Sequence, residues 1–115
     1  MKRVEKTWGY ELWIANSPLY CGKLLHFRAG TKCSLHYHKL KDETFYVSAG
    51  VAIISLNGAM YRLARGGSLH VPPGIRHQIY ALEELDLFEF STQHFDEDSY
   101  RILEERLKEP GINIG

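Results

Sequence analysis

Long apolar runs are missing from this chain of 115 residues, and so is any excess of one charge. No stretch approaches the roughly 20 consecutive apolar residues that a bilayer-crossing helix needs. Met1-Lys2-Arg3 is basic, but the Val4-Glu5-Lys6-Thr7 that follows lacks the apolar character of a secretory leader. A cytoplasmic protein with no membrane role is the expectation. Lysine and arginine number 14, as do aspartate and glutamate, so the formal charges cancel. A balanced chain exerts no diffuse pull on phosphate backbones or anionic lipid, which argues against nucleic-acid partners. Cysteine is scarce: Cys21 and Cys33 are the two present. In a reducing compartment they read as small buried hydrophobes rather than a bridge. There is no internal repeat, linker or low-complexity tract, and the length suits a single domain over residues 1–115.

What is present is punctuation. Glycines and prolines break the sequence at the spacing of an all-β sandwich or barrel. Between them lie strand-like runs at Trp8–Ile14, Lys23–Phe27, Ser34–His38, Glu43–Ser48, Val51–Leu56, Met60–Leu63, Ser68–Val71, His77–Ala81 and Leu85–Ser91. In the first run Trp8, Tyr10, Leu12 and Ile14 share one parity. Asn57-Gly58 is the strongest hairpin signal, because both residues accept positive φ. Only the C-terminus reads as helix: Asp96 or Ser99 can cap it, Ile102, Leu103 and Leu107 recur at helical spacing, and Pro110-Gly111 stops it. Short strands in this number argue for a jelly-roll barrel with a short closing helix.

Chemistry concentrates in four residues. His36 and His38 are two apart, which on a strand points both imidazoles to one face. Glu43 follows after the loop Lys39-Leu40-Lys41-Asp42 and returns on a neighbouring strand. His77 comes just after the rigid turn Pro72-Pro73-Gly74. Three neutral imidazoles and a carboxylate suit one divalent transition metal: Mn, Fe, Co, Ni, Cu or Zn. Turns with preset dihedrals fix such ligands on a rigid frame.

These residues resemble the two motifs of the cupin superfamily. The first runs Gly30, Thr31 to Leu35, His36-Tyr37-His38, Lys39 to Asp42, Glu43, Thr44 to Ala49, Gly50. The second runs Gly66, Gly67 to Val71, Pro72-Pro73-Gly74, Ile75-Arg76, His77, with Ala81 where the family has asparagine. The resemblance implies a double-stranded β-helix barrel with His36, His38, Glu43 and His77 as metal ligands. A looser resemblance covers nearly the whole chain. Lys6-Thr7-Trp8-Gly9-Tyr10-Glu11, Gly22-Lys23-Leu24-Leu25, Lys41-Asp42-Glu43-Thr44, Phe88-Glu89-Phe90-Ser91-Thr92 and Tyr100-Arg101-Ile102 look like small cupins related to the C-terminal domain of type II phosphomannose isomerases. That branch implies aldose–ketose interconversion of a phosphorylated sugar such as mannose 6-phosphate. The chain departs from it at Arg106-Leu107-Lys108, in place of a Tyr-Gly-Arg ending, and in having lysine at positions 39 and 41 where arginine is usual.

Three functions follow as expectations. The first is a sugar or sugar-phosphate isomerase, in which Glu89 moves the proton if it faces inward and Lys23, Lys39, Lys41 or Arg101 holds a phosphate. The second is a non-haem iron dioxygenase using the same ligands. The third is a metal- or sugar-binding module without turnover. His26 and His94 read as satisfied surface or core residues, while His70 could line the cavity. A homodimer is expected, with the apolar segment Trp8–Ile14 in its contact.

Overall fold

The computed structural model describes residues 1–102. The strands are β1 (Lys2–Lys6), β2 (Gly9–Asn16), β3 (Cys21–Phe27), β4 (His36–Tyr37), β5 (Glu43–Ala49), β6 (Val51–Leu56), β7 (Ala59–Ala64), β8 (Ser68–Val71), β9 (His77–Ala81), β10 (Leu85–Ser91) and β11 (Tyr100–Arg101). They form two antiparallel sheets, ordered β1-β2-β3-β10-β5-β8 and β11-β4-β9-β6-β7. This is the all-β jelly-roll barrel that the punctuation and motifs lead one to expect.

Two turns show how local chemistry sets this path. Asn57 (φ 47°) and Gly58 (φ 90°) close the hairpin from β6 to β7, with Leu56 opposite Ala59. Gly50 does not close a hairpin. β5 belongs to the six-stranded sheet and β6 to the other, so the Ala49-Gly50 corner carries the chain across the barrel. Its φ of 88° favours glycine, and a Cβ there would meet the Glu84 carbonyl oxygen at 2.0 Å.

The register of three central strands divides the interior in two. On β10, Leu85 pairs with Phe27, and Leu87 pairs with both Leu25 and Val47. These residues pack with Phe45 against Ala52, Ile54, Leu63, Ile79 and Ala81, forming a dry core. Two positions further along the same parity, Glu89 lies opposite Lys23 on one side and Phe45 on the other. Glu43 starts the neighbouring strand, opposite Ser91. Strand alternation sends all of them inward. Lys23 and Glu43 are 2% exposed and Glu89 4%, so the second half of the interior is charged.

On β2 the charged half decides which parity faces inward. Glu11 and Trp13 line the internal cavity, so Tyr10 and Leu12 face outward and Ile14 is 49% exposed. Trp8 is buried before the strand begins, its ring 3.9 Å from that of Phe27. Residues 96–101, expected to open a helix, form instead a 3-10 turn (Asp96–Asp98) and β11, which pairs with β4. The rest of that expected helix, including Leu103 and Leu107, lies outside the described residues. Cys21 and Cys33 do not form a disulfide. His70 is exposed on β8, its Nε2 2.5 Å from Asp42 Oδ1, and is not among the cavity residues. No helix of the described residues is long and apolar enough to cross a membrane.

Candidate metal centre and cavity

The four residues singled out by spacing converge. β4 lies between β11 and β9, and His36 is directly opposite His77 in the register. The ring nitrogens that His36, His38 and His77 offer all lie within 4.8 Å of one another. Glu43 Oε2 lies 3.2 Å from His77 Nε2 and 3.6 Å from His38 Nε2.

Each imidazole is oriented through its other nitrogen. Nδ1 of His36 donates to the Ser34 carbonyl at 2.8 Å, Nδ1 of His77 to the Ile75 carbonyl at 2.9 Å, and Nδ1 of His38 to the Asp98 carbonyl at 3.0 Å. A carbonyl only accepts, so each Nδ1 carries the hydrogen and each Nε2 keeps a lone pair. Glu43 Oε2 and His77 Nε2 are buried without a hydrogen-bond partner. Two lone-pair atoms at 3.2 Å repel unless a proton or cation sits between them. Their separation is what two ligands of one ion, each bonded at about 2.1 Å, would show. The side chains present therefore fit a divalent ion.

Burial reinforces the lone-pair state. Desolvation, helped by neighbouring His77, lowers the His36 pKa to about 4, and desolvation with the Lys41 charge lowers His38 to about 3. Burial, together with the Glu89 charge, pushes the Glu43 carboxyl up. A bound cation reverses that last preference, because its charge dominates the local field.

Asp98, in the stretch expected to open a helix, holds the loop that carries His38. Its carboxylate is buried and accepts from the backbone N–H groups of Lys39 (2.9 Å), Leu40 (3.1 Å) and Lys41 (3.0 Å). From the other side Gly74 N–H donates to the His38 carbonyl at 2.6 Å, so the Pro72-Pro73-Gly74 turn pins the first motif to the second. Nothing in short-range spacing marks Asp98; its partners are almost 60 residues away.

A cavity of about 810 Å³ opens onto His36, His38 and Glu43, and Lys23, Lys41, Glu89 and Arg101 also line it. Glu89 thus faces inward, and Phe88 and Phe90 stack on the outer face with ring centroids 6.1 Å apart. Its Oε2 accepts from Lys41 Nζ at 2.8 Å and from Ser91 Oγ at 3.1 Å. Burial opposes ionisation of Glu89, but the Lys41 and Lys23 charges outweigh it and hold the carboxyl down at about 2. Burial likewise disfavours the Lys41 ammonium, and the Glu89 and Glu43 charges overcome it, so its pKa is raised. Lys23 sits 3.5 Å from Glu11 Oε1 and 4.2 Å from the Trp13 ring centroid. Lys39 reaches over the Tyr100 ring at 4.6 Å. His94, read from sequence as a satisfied residue, also lines the cavity, and its Nδ1 has no partner.

The cupin domain family matches residues 23–88, more than half of the chain, and the chain belongs to that family. Among curated relatives, SchB of Streptomyces halstedii is 35% identical over 51 residues, covering 44% of this chain and 37% of SchB. The uncharacterized protein MJ1618 of Methanocaldococcus jannaschii is 28% identical over 50 residues, 44% of this chain and 40% of that protein. The chain thus spans about two fifths of the length of these relatives. Among solved structures, KdgF from Halomonas sp. superposes with a TM-score of 0.72 at 24% identity, covering 76% of this chain and 81% of KdgF. The capsular polysaccharide assembling protein CapF from Staphylococcus aureus gives 0.77 at 18%, covering 88% of this chain and 34% of CapF. Salicylate 1,2-dioxygenase from Pseudoaminobacter salicylatoxidans gives 0.66 at 24%, covering 70% and 26%. At these identities the likeness concerns the fold.

Proposed function

We propose that the protein is a metal-dependent cupin that interconverts aldose and ketose forms of a sugar or sugar phosphate, with His36, His38, Glu43 and His77 as the ligands of one divalent transition metal. The observation that carries this reading is the meeting of three members of that centre, His36, His38 and Glu43, with buried Lys23 and Lys41 in one cavity, of a volume that suits a hexose phosphate. A divalent ion held there supplies Lewis acidity toward neighbouring oxygens of a hydroxy-carbonyl substrate. The chain's own groups then bind and orient. Lys23 and Lys41 present positive charge from the walls, and Arg101, exposed beside β4, reaches a phosphate left near the opening. Glu89 is the candidate base. Its low pKa makes it a poor proton acceptor at neutral pH, so in this reading its first task is to hold Lys41 in place. Its resemblance to the phosphomannose isomerase branch supports the substrate class; KdgF and CapF support only the architecture.

The test is to load the protein with Mn, Fe, Co, Ni or Zn in turn, add mannose 6-phosphate and other aldose phosphates, and follow ketose formation. Turnover that disappears in His77→Ala supports the reading. Binding without turnover across the panel replaces it with a sugar-binding module. Oxygen uptake by the iron form alone replaces it with a dioxygenase.

The outer face of the six-stranded sheet supports pairing of two copies. Leu12, Leu24, Phe88 and Tyr46 stand opposite one another across four strands, with Phe90 and Ile14 exposed beside them. The charges at the rim are paired within the chain, as in Arg3 with Glu5 and His26 with Glu84 and Asp86. A second copy would therefore meet an apolar centre flanked by these paired charges. Sedimentation of the wild type against Phe88→Glu tests it: a dimer that becomes a monomer is expected, and a monomeric wild type removes the idea.

A further inference from the structure

His94 lies between β10 and the 3-10 turn, and its side chain is 9% exposed. Its backbone is clamped to the end of β2: His94 N–H donates to Asn16 Oδ1 at 2.8 Å, and Asn16 Nδ2 donates to the His94 carbonyl at 3.1 Å. On the ring, Nε2 is 2.9 Å from Asp96 Oδ1. An ionised carboxylate can only accept, so Nε2 carries the hydrogen and Nδ1 carries a bare lone pair. That Nδ1 is buried and has no hydrogen-bond partner. Burial, followed by the Lys41 and Lys23 charges, lowers the His94 pKa, which keeps the ring neutral and Nδ1 an acceptor.

A donor without a close acceptor stands nearby. Lys23 is 2% exposed, yet its one ion-pair partner among the described residues, Glu11, is 3.5 Å away, beyond the usual hydrogen-bond range of about 2.7–3.2 Å. Trp13 ties the two together: its ring centroid is 5.0 Å from the His94 ring, edge to face, and 4.2 Å from Lys23 Nζ. Both side chains line the same cavity as His36, His38 and Glu43, and the His94 ring is 6.5 Å from that of His38.

A buried ammonium donor and a buried imidazole acceptor select for chemistry. A carboxylate or phosphate could accept from Lys23 but would face the His94 lone pair with a second lone pair. A hydroxyl both accepts and donates. We propose that Lys23 and His94 form a hydroxyl-binding subsite beside the metal centre, in which Lys23 donates to a ligand hydroxyl and His94 Nδ1 accepts from it or from its neighbour on a polyol. Asp96 is the positioning residue, holding the tautomer. The inference rests on the sugar reading and sharpens it: the substrate lies with its hydroxyls against Trp13, Lys23 and His94, and any phosphate lies elsewhere in the cavity.

The test uses the zinc-loaded full chain with ¹⁵N-labelled histidine, titrated with D-mannose and with mannose 6-phosphate. Binding should move the His94 Nδ1 resonance toward the hydrogen-bonded position and leave Nε2 as the protonated nitrogen. His94→Phe and Lys23→Met should each weaken binding about tenfold or more, whereas His94→Asn, which keeps an acceptor near the Nδ1 position, should stay within about threefold. Asp96→Ala, at a side chain that is 80% exposed, leaves the fold intact and should mix the two His94 tautomers in the spectrum. Sugar that binds with His94 unmoved and His94→Phe at wild-type affinity overturns the subsite, as does failure of both sugars to bind. The isomerase reading fails separately, when mannose 6-phosphate moves His94 but gives no ketose. Conversion to ketose with His94 unmoved keeps that reading and discards the subsite.

Discussion

Glu43 Oε2 and His77 Nε2 face each other at 3.2 Å, both buried and neither hydrogen-bonded. The pair is unfavourable as it stands and favourable around a cation, so Glu43→Gln should act with opposite signs in the two states. Without metal, an amide can donate to Nε2 and the buried charge at position 43 is gone, which raises the melting temperature in chelator. With metal, the loss of an anionic ligand lowers affinity by about 10–100-fold or more. Thermal melts with zinc and with chelator, paired with competition titrations, read both effects; a variant less stable in chelator than wild type contradicts the account.

The Lys41–Glu89 pair should behave as a unit. Both side chains are almost fully buried and 2.8 Å apart. Removing one partner strands a charge in the barrel, so Lys41→Met or Glu89→Leu alone should cost about 3–5 kcal/mol. The double variant should cost much less than the sum, and urea unfolding of all four proteins gives the coupling. Additive losses would mean that the two charges are solvated independently.

Stability should also fall with rising pH at His26. Its Nδ1 is 2.6 Å from Asp86 and its Nε2 2.8 Å from Glu84, and the bond to Asp86, helped by that to Glu84, outweighs burial and raises its pKa. A raised folded pKa favours the protonated ring, so the stabilisation is fully present below the unfolded value of about 6.5 and is lost as pH climbs through the folded value. The difference in melting temperature between wild type and His26→Gln should therefore be widest near about pH 6 and shrink above it. A gap that widens at alkaline pH has the wrong sign.

Gly50 and Gly30 provide a matched pair. Both have positive φ, 88° and 82°, but only at Gly50 would a Cβ collide with backbone, at Glu84. Gly30→Ala should cost about 1–2 kcal/mol from the left-handed conformation alone. Gly50→Ala should cost clearly more, because the corner between the two sheets must also shift. Equal losses in urea unfolding would show that the corner yields freely.

Strand positions were legible where chemistry and local pattern agree. The segments Val51–Leu56, Ser68–Val71, His77–Ala81 and Leu85–Ser91 coincide with β6, β8, β9 and β10. β1 was not, because Lys2–Lys6 holds one apolar residue and is fixed by backbone pairing to β2 at a sheet edge. Which face of β2 turns inward was not legible, for a physical reason. Alternation assumes an apolar interior, and here the interior beyond Leu25 is charged, so the inward residues are Glu11 and Trp13. The four-residue centre was visible because its spacing is local to two turns. Asp98 and His94 were not, since each acts through partners distant in the chain.

The anchoring of His38 has a consequence for assembly during synthesis. Ser34 and Ile75 orient His36 and His77 from two residues away, so those rings are set as soon as their own turns form. The support for His38, and for the three amides after it, arrives 60 positions later with Asp98. A chain emerging from the ribosome therefore has two of its three imidazoles poised early and the third loose until nearly the whole barrel has been made. Ion capture becomes a late event, and a nascent chain stalled ahead of Asp98 should hold metal weakly even with every coordinating side chain already present.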